Sequence, residues 1–325
     1  MAIEIKGGLK DKEVILAPLA GITHWPFRQL VRELGGKITY SEMISSQGLF
    51  RNKEKTLTLA CPGPGEIDLA VQIFGSEPAV MAEAAKKAED LGASMIDINM
   101  GCPQKKVIKI GAGAALMKEP DRAAKIVEKV KKSVAVPVSC KIRLGWDENS
   151  INCVEFAKGL QRAGADLLAV HARTRSQMFG GTARWKEIRR VKEVLEIPVI
   201  ANGDIRSVED ASRCLQITKA DGVMIGRAAM TMPWIIGHVR EYLISGTKLK
   251  EPDVSFRLEV ARRFLRLFNT WGPYKGKVPV AKQHLGWLIR GLLNSSKFRK
   301  KLNSLKSMAE ISEALEVYAS SLSAT

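Results

Sequence analysis

The segment PVIANGDIRSVEDASRCLQITKADGVMIGR (198–227) contains a complete strand–helix–strand pattern. Two short apolar runs, PVIANGD (198–204) and GVMIGR (222–227), flank the stretch VEDASRCLQIT, in which apolar residues recur at helical spacing. A strand, a helix and a second strand in this order are typical of two parallel strands joined by a helical crossover. The segment therefore predicts a parallel β-sheet.

The same pattern extends over most of the chain before this segment. Six further apolar runs come first, and helix-like stretches such as EPAVMAEAAKKAEDLG (77–92) separate them. Eight strands that alternate with helices close a barrel, so the pattern predicts an α/β fold of the TIM (β/α)8 type. A doubly wound open sheet is the structural alternative. The six runs are VILAPLA (14–20), ITYSEMI (38–44), LAVQIFG (69–75), MIDINMG (95–101), PVSCKIRL (137–144) and LLAVHAR (167–173).

The C-terminal part of the chain has a different pattern, because the β-like runs stop after Trp234. We therefore divide the chain into a barrel domain at 1–244 and a small all-α helical domain at 245–325, joined near SGTKLKEPD (245–253). Apolar residues at helical spacing predict amphipathic helices in the second domain, at 254–270, 280–293 and 307–320.

The chain carries a large positive charge. It has 51 Lys and Arg residues against 34 Asp and Glu, which gives a formal net charge of +17. Residues 245–325 hold 15 of these cations but only 6 of the acids. A small-molecule enzyme has no need of such an excess, whereas a polyphosphate partner is attracted by it. A basic surface without a function is the alternative.

Composition and cysteine usage indicate a folded protein of a reducing compartment. Apolar residues make up 46% and charged residues 26%, so the chain can bury a sizeable core. The five cysteines are scattered and form no C-x-x-C pair, so we expect neither a disulfide framework nor a metal site. The opening MAIEIKGGLKDKEV lacks the apolar core of a signal peptide, and no apolar run approaches the roughly 18 residues that span a bilayer. A cytoplasmic monomer without a membrane segment is expected.

The last two runs end in residues that suit an anion. In a TIM barrel, catalytic groups lie at the C-terminal ends of the strands, and phosphate binds after strands seven and eight. The seventh run ends in Asn202, Gly203 and Asp204, and the eighth in Gly226 and Arg227. Glycine lets backbone N–H groups approach an anion, and arginine can fork onto phosphate oxygens. These positions predict a phosphorylated ligand; a tight turn and a helix-entry glycine are the alternatives.

Polar residues also occur in three earlier runs. Lys141 and Arg143 are spaced by two and share one face of the fifth strand, where two buried cations are costly unless they meet a ligand or a partner charge. His171 ends the sixth run and Gln72 lies in the third. Each alone is explained as a satisfied buried polar residue, but their convergence at one end of the barrel indicates a ligand site.

Cys102 follows the fourth run in the sequence NMGCP (99–103). A glycine-rich stretch, GAGAALM (111–117), comes soon after, so we expect the thiol on a loop over the barrel mouth, where a catalytic acid or nucleophile belongs. A structural thiol is the alternative. The glycine-rich stretch lacks the G-x-G-x-x-G spacing, so no Rossmann dinucleotide site is predicted.

Seven ordered motifs together resemble the tRNA-dihydrouridine synthases, and most of all the bacterial B-type members, notably in NMGCPQKKV (99–107). The resemblance covers essentially the whole chain, and the ordered set is far more specific than any one motif. Leu19 stands where the family pattern has Met, and IKIGAGAAL (108–116) is a slight variant. The motifs are APLAGITHWPFR (17–28), SEM (41–43), DINMGCP (97–103), KIRLGW (141–146), HARTR (171–175), IANGDI (200–205) and MIGRAA (224–229).

The resemblance implies an enzyme that reduces specific uridines of tRNA to 5,6-dihydrouridine, with FMN bound and with NADPH (or NADH) as the electron donor. It assigns proton donation to Cys102 and uracil recognition to Asn99, Lys141 and Arg143, and its B-type character suggests position 17 of tRNA. It assigns contacts with FMN to Pro18, Leu19, Ala20, Gln72, Lys141, His171, Asn202, Gly203, Asp204, Gly226 and Arg227.

Elementary chemistry agrees with these assignments. A flavin carries the redox chemistry while the protein aligns and polarises, and Lys141 can stabilise negative charge on it. Hydride addition at C6 of uracil leaves C5 in need of a proton from the opposite face, which the thiol of Cys102 can supply.

The basic C-terminal segment also has a place in this scheme. A target uridine must leave its loop and enter the barrel mouth, while phosphate contacts supply affinity and register. We expect such contacts from Lys275, Lys277, Lys282 and Arg290; a solvated helix face is the alternative for any one of them.

Two other functions can use the same fold. A flavoenzyme that acts on free pyrimidines or dihydroorotate can share the barrel and FMN, but it needs neither a net charge of +17 nor a cationic helical segment. A non-catalytic RNA-binding protein can keep the barrel as a scaffold, but the joint presence of Cys102, Lys141 and Arg143 disfavours it.

Overall fold

The apolar runs form the strands of one parallel sheet. The computed structural model describes residues 12–271 and 276–323, and every strand pair of the sheet in these ranges is parallel. The strands are β1 (Glu13–Leu16), β2 (Thr39–Tyr40), β3 (Ile44–Ser45), β4 (Leu69–Phe74), β5 (Met95–Asn99), β6 (Val138–Ile142), β7 (Leu167–His171), β8 (Val199–Asn202) and β9 (Gly222–Ile225).

The sheet closes into a barrel with eight strand positions. From β4 to β9 each strand pairs with the next along the chain, β9 pairs with β1, β1 with β2, and β2 with β4. β2 and β3 share one position, because both pair with β4, at Thr39↔Leu69 and at Ile44↔Ile73. The predicted TIM (β/α)8 barrel is confirmed, and the open doubly wound sheet is wrong.

The predicted second strand, at 38–44, is interrupted at Ser41. The hydroxyl of Ser41 accepts a hydrogen bond from the backbone N–H of Gln72 at 2.9 Å, so a side-chain oxygen takes the place of a backbone carbonyl in the ladder. The next residue, Glu42, accepts a hydrogen bond from the backbone N–H of Gly21, in the loop after β1. The interruption therefore ties two loops together at the carboxyl end of the barrel.

The inward-facing residues of the strands change from apolar to polar toward the carboxyl ends. Alternate residues of a strand point to one face, so Leu167, Ala169 and His171 of β7 point inward, as do Ile200 and Asn202 of β8. The apolar members belong to one buried cluster inside the barrel. The polar members lie last in their strands, so the fold gathers polar side chains at one end of the barrel.

Helices connect the strands and cover the outside of the barrel. The predicted helix between the last two strands begins at Val208, after Ser207, whose hydroxyl accepts from the N–H of Asp210 at 3.1 Å. A 3-10 helix spans Gly113–Lys118. The α-helices of this part are α1 (Trp25–Glu33), α2 (Ser46–Phe50), α3 (Glu54–Ala60), α4 (Pro78–Asp90), α5 (Lys105–Ile108), α6 (Pro120–Ser133), α7 (Cys153–Arg162), α8 (Trp185–Lys192), α9 (Val208–Thr218), α10 (Arg227–Thr231) and α11 (Ile235–Ser245).

Four helices follow in the described C-terminal part of the chain, where the sequence predicts three. The unpredicted helix is rich in lysine, and only Phe298 and Leu302 among its large side chains are apolar and buried. The predicted helix at 280–293 ends at Leu288, before Gly291 and Asn294, which both have positive φ. The helices are α12 (Val254–Thr270), α13 (Lys277–Leu288), α14 (Ser295–Ser304) and α15 (Met308–Ser323).

The C-terminal helices pack directly on the barrel. Arg263 of α12 forms an ion pair with Glu33 of α1 at 2.6 Å, and the buried imidazoles of His24 and His284 approach to 3.1 Å between their Nε2 atoms. One apolar core runs from the outer face of the barrel into these helices. Within residues 12–271 and 276–323, no helix is long and apolar enough to cross a membrane.

Candidate active site

The carboxyl ends of the barrel strands open into a cavity of about 650 Å³. Cavities of this size hold small molecules and cofactors. The structure brings together in its walls every residue that the resemblance assigns to FMN, to uracil or to proton donation. These residues are Pro18, Leu19, Ala20, Gln72, Asn99, Cys102, Lys141, Arg143, His171, Asn202, Gly203, Asp204, Gly226 and Arg227.

A chain of buried hydrogen bonds leads to Cys102 from two neighbouring strands. Gln72 of β4 donates to Oδ2 of Asp97 at 2.6 Å, and its Oε1 accepts from Nδ2 of Asn99 at 2.7 Å. Oδ1 of Asn99 in turn accepts from the backbone N–H of Cys102 at 2.9 Å. Gln72 and Asp97 are register partners, so the strand pairing itself aligns the chain. The loop that carries Cys102 is thereby fixed to the barrel.

Cys102 is buried and lines the cavity. Burial raises the pKa of its thiol, and the N–H of Gln104 and the charges of Arg143 and Lys141 offset only part of this effect. The side chain is therefore a neutral thiol at neutral pH and holds a proton that it can donate. Gly113, with φ +62°, lets the following chain fold back closely, since a Cβ there would lie 2.8 Å from the carbonyl oxygen of Cys102.

Lys141 extends from β6 into the cavity. Its Nζ donates to Oδ1 of Asn202 at 3.1 Å, and Nδ2 of Asn202 is held by the carbonyl of Met224 at 2.7 Å. Burial, and then the charge of Arg143, lower the pKa of Lys141 to about 8. The ammonium group is charged at pH 7 but poorly solvated, so it offers strong stabilisation to an anionic ligand.

Arg143 connects two loops at the mouth of the cavity. Its Nε donates to the carbonyl of Gly101 at 2.7 Å, and its Nη1 donates to the carbonyls of Thr174 at 2.8 Å and Met178 at 2.9 Å. Its Nη2 has no acceptor within the described ranges, and the side chain lines the cavity. One edge of the guanidinium is thus available to a ligand, while the other edges order the loop before Cys102.

His171 presents a neutral imidazole to the cavity. Burial, followed by the charges of Lys141, Arg143 and Arg173, holds its pKa well below the ordinary value. A further positive charge at this place is costly, so the ring stays neutral. Its Nε2 lies 3.5 Å from Nη1 of Arg173 and accepts from it, which leaves the Nδ1–H group as the donor that the ring offers to a ligand.

The loop after β8 holds a cluster of charges at one end of the cavity. Asp204 accepts a hydrogen bond from Nη2 of Arg173 at 2.6 Å and one from Nη2 of Arg227 at 3.1 Å, and Arg206 lies 3.6 Å from it. Burial opposes ionisation of Asp204, but the hydrogen bonds from Arg173 and from the backbone of Ala183 outweigh it and lower the pKa. Three arginines against one carboxylate leave a positive site, in which Asp204 orients the arginines.

Gly203 and Gly226, at this end of the cavity, differ in the space that the surrounding protein leaves for a Cβ. Gly203 has φ +124°, and a Cβ there would lie 3.0 Å from Cβ of Ala183 and 3.2 Å from Cδ2 of His171, so the fold itself requires glycine. At Gly226 the nearest atom, Cβ of Ala17, would lie at an ordinary 3.5 Å. The surrounding protein therefore leaves room for a Cβ at position 226, and a ligand close to the backbone would occupy that room.

Sequence reasoning missed three residues of this region, Arg173, Phe179 and Arg206, of which Arg206 lines the cavity beside Asp204. Arg173 is fully buried behind the cavity, where it donates to the carbonyls of Gly180 at 2.9 Å and Gly181 at 2.8 Å as well as to Asp204. Its place two residues after His171 was a usable signal, because the strand period extends to it. Phe179 lines the cavity, half exposed, with its ring 5.4 Å from Cζ of Arg227. No pattern in the sequence marks Phe179.

Three of the residues predicted to contact tRNA, Lys277, Lys282 and Arg290, are among those that the structure describes, and none of the three lines the cavity. Lys275 falls outside the described residues. The ammonium of Lys282 donates to the carbonyl of Asn303 at 3.1 Å, and that of Lys277 lies 3.5 Å from the carbonyl of Asn269. Arg290 is exposed. Lys277 and Lys282 therefore already interact with helix ends, which the sequence did not indicate.

Comparison with known proteins gives one consistent result. Residues 15–323 match the family described as "Dihydrouridine synthase (Dus)". A protein of Xanthomonas campestris named tRNA-dihydrouridine synthase B is 44% identical over 90% of this chain and 88% of its own. A protein of Proteus vulgaris with the same name is 41% identical over 94% of each chain. A solved structure of morphinone reductase is 14% identical, with a TM-score of 0.50 over 75% of this chain and 88% of its own, which supports the fold alone.

Proposed function

This chain belongs to the dihydrouridine synthase family, and on that premise we propose that it is a flavin-dependent enzyme that reduces uridines of tRNA to 5,6-dihydrouridine. The observation that carries the proposal is the convergence of three groups in one cavity: the neutral thiol of Cys102, the poorly solvated ammonium of Lys141 and the free guanidinium edge of Arg143. In the proposed reaction the thiol is the proton donor, the ammonium stabilises negative charge on the reduced flavin ring, and the guanidinium donates a hydrogen bond to a carbonyl oxygen of the uracil.

The residues of the cavity fit FMN in their chemistry. Arg206 and Arg227 form a cationic end suited to a phosphate, and the open space beside the backbone of Gly226 suits close approach of such a group. Lys141 and the neutral His171 offer donors to ring and side-chain oxygens. We assign to FMN the residues Pro18, Leu19, Ala20, Gln72, Lys141, His171, Asn202, Gly203, Asp204, Gly226 and Arg227. Bound FMN, once reduced by NADPH, would supply the hydride that adds to C6 of uracil.

Asn99, Lys141 and Arg143 bind the uracil in this proposal. Asn99 keeps one N–H beyond the one it gives to Gln72, and Arg143 keeps its Nη2, so both can donate to the carbonyl oxygens of the base. Negative charge moves toward the C4 carbonyl as C6 is reduced. Donors already fixed at that place stabilise the charge without reorganising.

Cys102 completes the reduction by giving its proton to C5. The S–H bond breaks, the C5–H bond forms, and the thiolate that remains is stabilised by the charges of Arg143 and Lys141. The hydride at C6 and this proton at C5 together saturate the double bond. The raised pKa of the thiol keeps the proton in place until the base carbon becomes strongly basic.

tRNA is the proposed partner, and residues 245–325 are the proposed tRNA-binding domain. The grounds are the net charge of +17 and the excess of cations in this segment. Lys275, Lys277, Lys282 and Arg290 are proposed to contact phosphates, which fix register rather than sequence.

Purified protein supplied with unmodified tRNA and NADPH tests the proposal. We expect a flavin absorption spectrum and dihydrouridine in the recovered tRNA. A colourless protein that binds RNA would favour the non-catalytic alternative. If the protein reduces free uracil or turns over dihydroorotate while the tRNA stays unchanged, the alternative of a flavoenzyme acting on free pyrimidines would be favoured.

A further inference from the structure

A second basic feature lies beside Cys102, far along the sequence from the C-terminal cations. Between Asp97 and Glu119 the chain has four lysines and no acidic residue. Three of these lysines, Lys105, Lys106 and Lys109, are exposed on or next to the short helix α5. None of the three forms an ion pair within residues 12–271 and 276–323. We call residues 104–110 the lysine turn.

The lysine turn is anchored to the loop that carries the thiol. Val107 packs with Cys102 and Ala112 in a small buried cluster. The N–H of Ala114 donates to the carbonyl of Cys102 at 3.1 Å, which closes the chain back onto the loop. Gln104, the residue before α5, lines the cavity beside Cys102. The helix that carries the exposed lysines thus begins next to a residue of the cavity wall and is held by the same contacts that position Cys102.

Three unpaired cations on so short a segment repel one another in the free protein. Such an arrangement stabilises nothing in the fold itself, since the anchoring contact is apolar and comes from Val107. A bound polyanion removes the repulsion. Ile110, exposed to 51%, stands next to Lys109 and adds an apolar surface for a sugar or a base edge.

We propose that the lysine turn binds the phosphate backbone of the RNA segment that flanks the uridine in the cavity. The inference rests on the proposed function and goes beyond it by giving RNA a contact on the barrel. A nucleotide that enters the cavity carries its own and the following phosphate to the mouth, next to the loop of Cys102. Lysine binds phosphate as a point charge, so these contacts fix the depth and register of the strand without reading its sequence.

Two matched triple variants of the full-length chain test the inference. The first replaces the lysines of the turn (Lys105→Ala, Lys106→Ala, Lys109→Ala). The second replaces three exposed lysines of α6 on the outer wall that also lack ion pairs (Lys125→Ala, Lys129→Ala, Lys132→Ala). The affinity of each for an unmodified tRNA transcript is measured over a range of salt concentrations. In a plot of log affinity against log salt concentration, each lost phosphate contact makes the slope shallower by about 0.7 to 0.9. The slope of the first variant should therefore be shallower than that of the wild type by about two to three units, and the slope of the second almost unchanged.

Equal slopes for the two variants would overturn the inference. Wild-type protein is assayed for dihydrouridine formation on the same transcript, which separates the two possible failures. Equal slopes with an active wild type would contradict only the proposed role of the lysine turn. An inactive wild type would contradict the proposed function itself. Single exchanges give a second readout that does not depend on the triple variant. Lys106→Glu should weaken tRNA binding at low salt by about tenfold more than Lys129→Glu, because it replaces a phosphate contact by a repulsion, and equal effects would again contradict the inference.

Discussion

At Cys102 and Lys141, burial acts against the charged form of each side chain, and the consequences are opposite. It raises the pKa of the Cys102 thiol and lowers that of the Lys141 ammonium to about 8. The thiol therefore keeps its proton into the alkaline range, while the ammonium begins to lose its proton just above neutral pH. Below about pH 8 both groups are in the states that the proposed reaction needs.

Affinity for FMN should depend on pH through Lys141. The ammonium is mostly protonated at pH 7 and donates to oxygens of the ligand in the proposed site, so binding is strongest there and weakens as pH rises through the pKa of about 8 and beyond. Fluorescence titration of flavin-free protein with FMN, from about pH 7 to about pH 9.5, measures this. The Lys141→Met variant should bind FMN more weakly than the wild type, and its affinity should not fall as the pH rises. A wild-type affinity that is constant over this range would contradict the assignment.

Arg227→Ala should release FMN while the barrel stays folded. A charge-assisted contact to phosphate contributes about 1.5–3 kcal/mol, so affinity should fall by about tenfold to a hundredfold. Arg162→Ala, which removes an exposed cation at the end of α7, is the control and should leave affinity unchanged. Retention of full flavin by the Arg227 variant after dialysis would show that the phosphate lies elsewhere.

Cys102→Ala should separate the oxidation of NADPH from the reduction of uridine. The variant should keep FMN, oxidise NADPH and bind tRNA, because none of these steps uses the thiol. Dihydrouridine formation in a single turnover should fall by about 10²–10⁴-fold, the usual contribution of a positioned general acid. Product formation at the wild-type rate would remove Cys102 from the mechanism.

At the scale of the elements, the loop after β8 carries the sharpest steric requirement. Gly203→Ala places a side chain at φ +124° and against His171, so it should destabilise the fold by about 1–3 kcal/mol and weaken flavin binding. Gly159→Ala in α7 is the matched control, since nothing lies within 4 Å of its Cβ, and it should stabilise by about 0.5–1 kcal/mol. Thermal unfolding of both variants is the measurement. Equal melting temperatures would mean that the loop can relax around the added methyl group.

The strands and their polar ends were predictable because a period of two places alternate residues on one face. That rule led from Lys141 and His171 to the cavity that both of them line. It gave no warning that Ser41 interrupts the second strand, because the hydroxyl replaces a backbone acceptor through a long-range contact with Gln72. Contacts between residues distant in sequence carry no local signal.

The C-terminal helices show the same limit. α12 was predictable from its apolar face, which packs on the barrel. α14 was not, because its buried face consists chiefly of Phe298 and Leu302 within a polar, lysine-rich segment. Tertiary packing, rather than a strong pattern, determines that helix. The charge of the segment was evident from the sequence, but the engagement of Lys282 with the end of α14 was not.

For the whole molecule, the acidic residues are unevenly distributed along the chain. Between Glu259 and Glu310 there is no acidic residue, and the same holds between Asp97 and Glu119. One acid-free stretch includes α13 and α14, and the other contains Cys102. We propose that tRNA contacts both, with the C-terminal contacts setting its orientation and the lysine turn setting the depth of the target nucleotide.

The most direct test of the central claim is the dihydrouridine content of cellular tRNA, mapped by position, in a strain from which this gene has been deleted. Loss of the modification at one or a few positions is the predicted result, with restoration by the wild-type gene and not by the gene for Cys102→Ala. Such an outcome would connect the cavity, its thiol and the tRNA partner in a single experiment. An unchanged dihydrouridine map in the deletion strain would contradict the account.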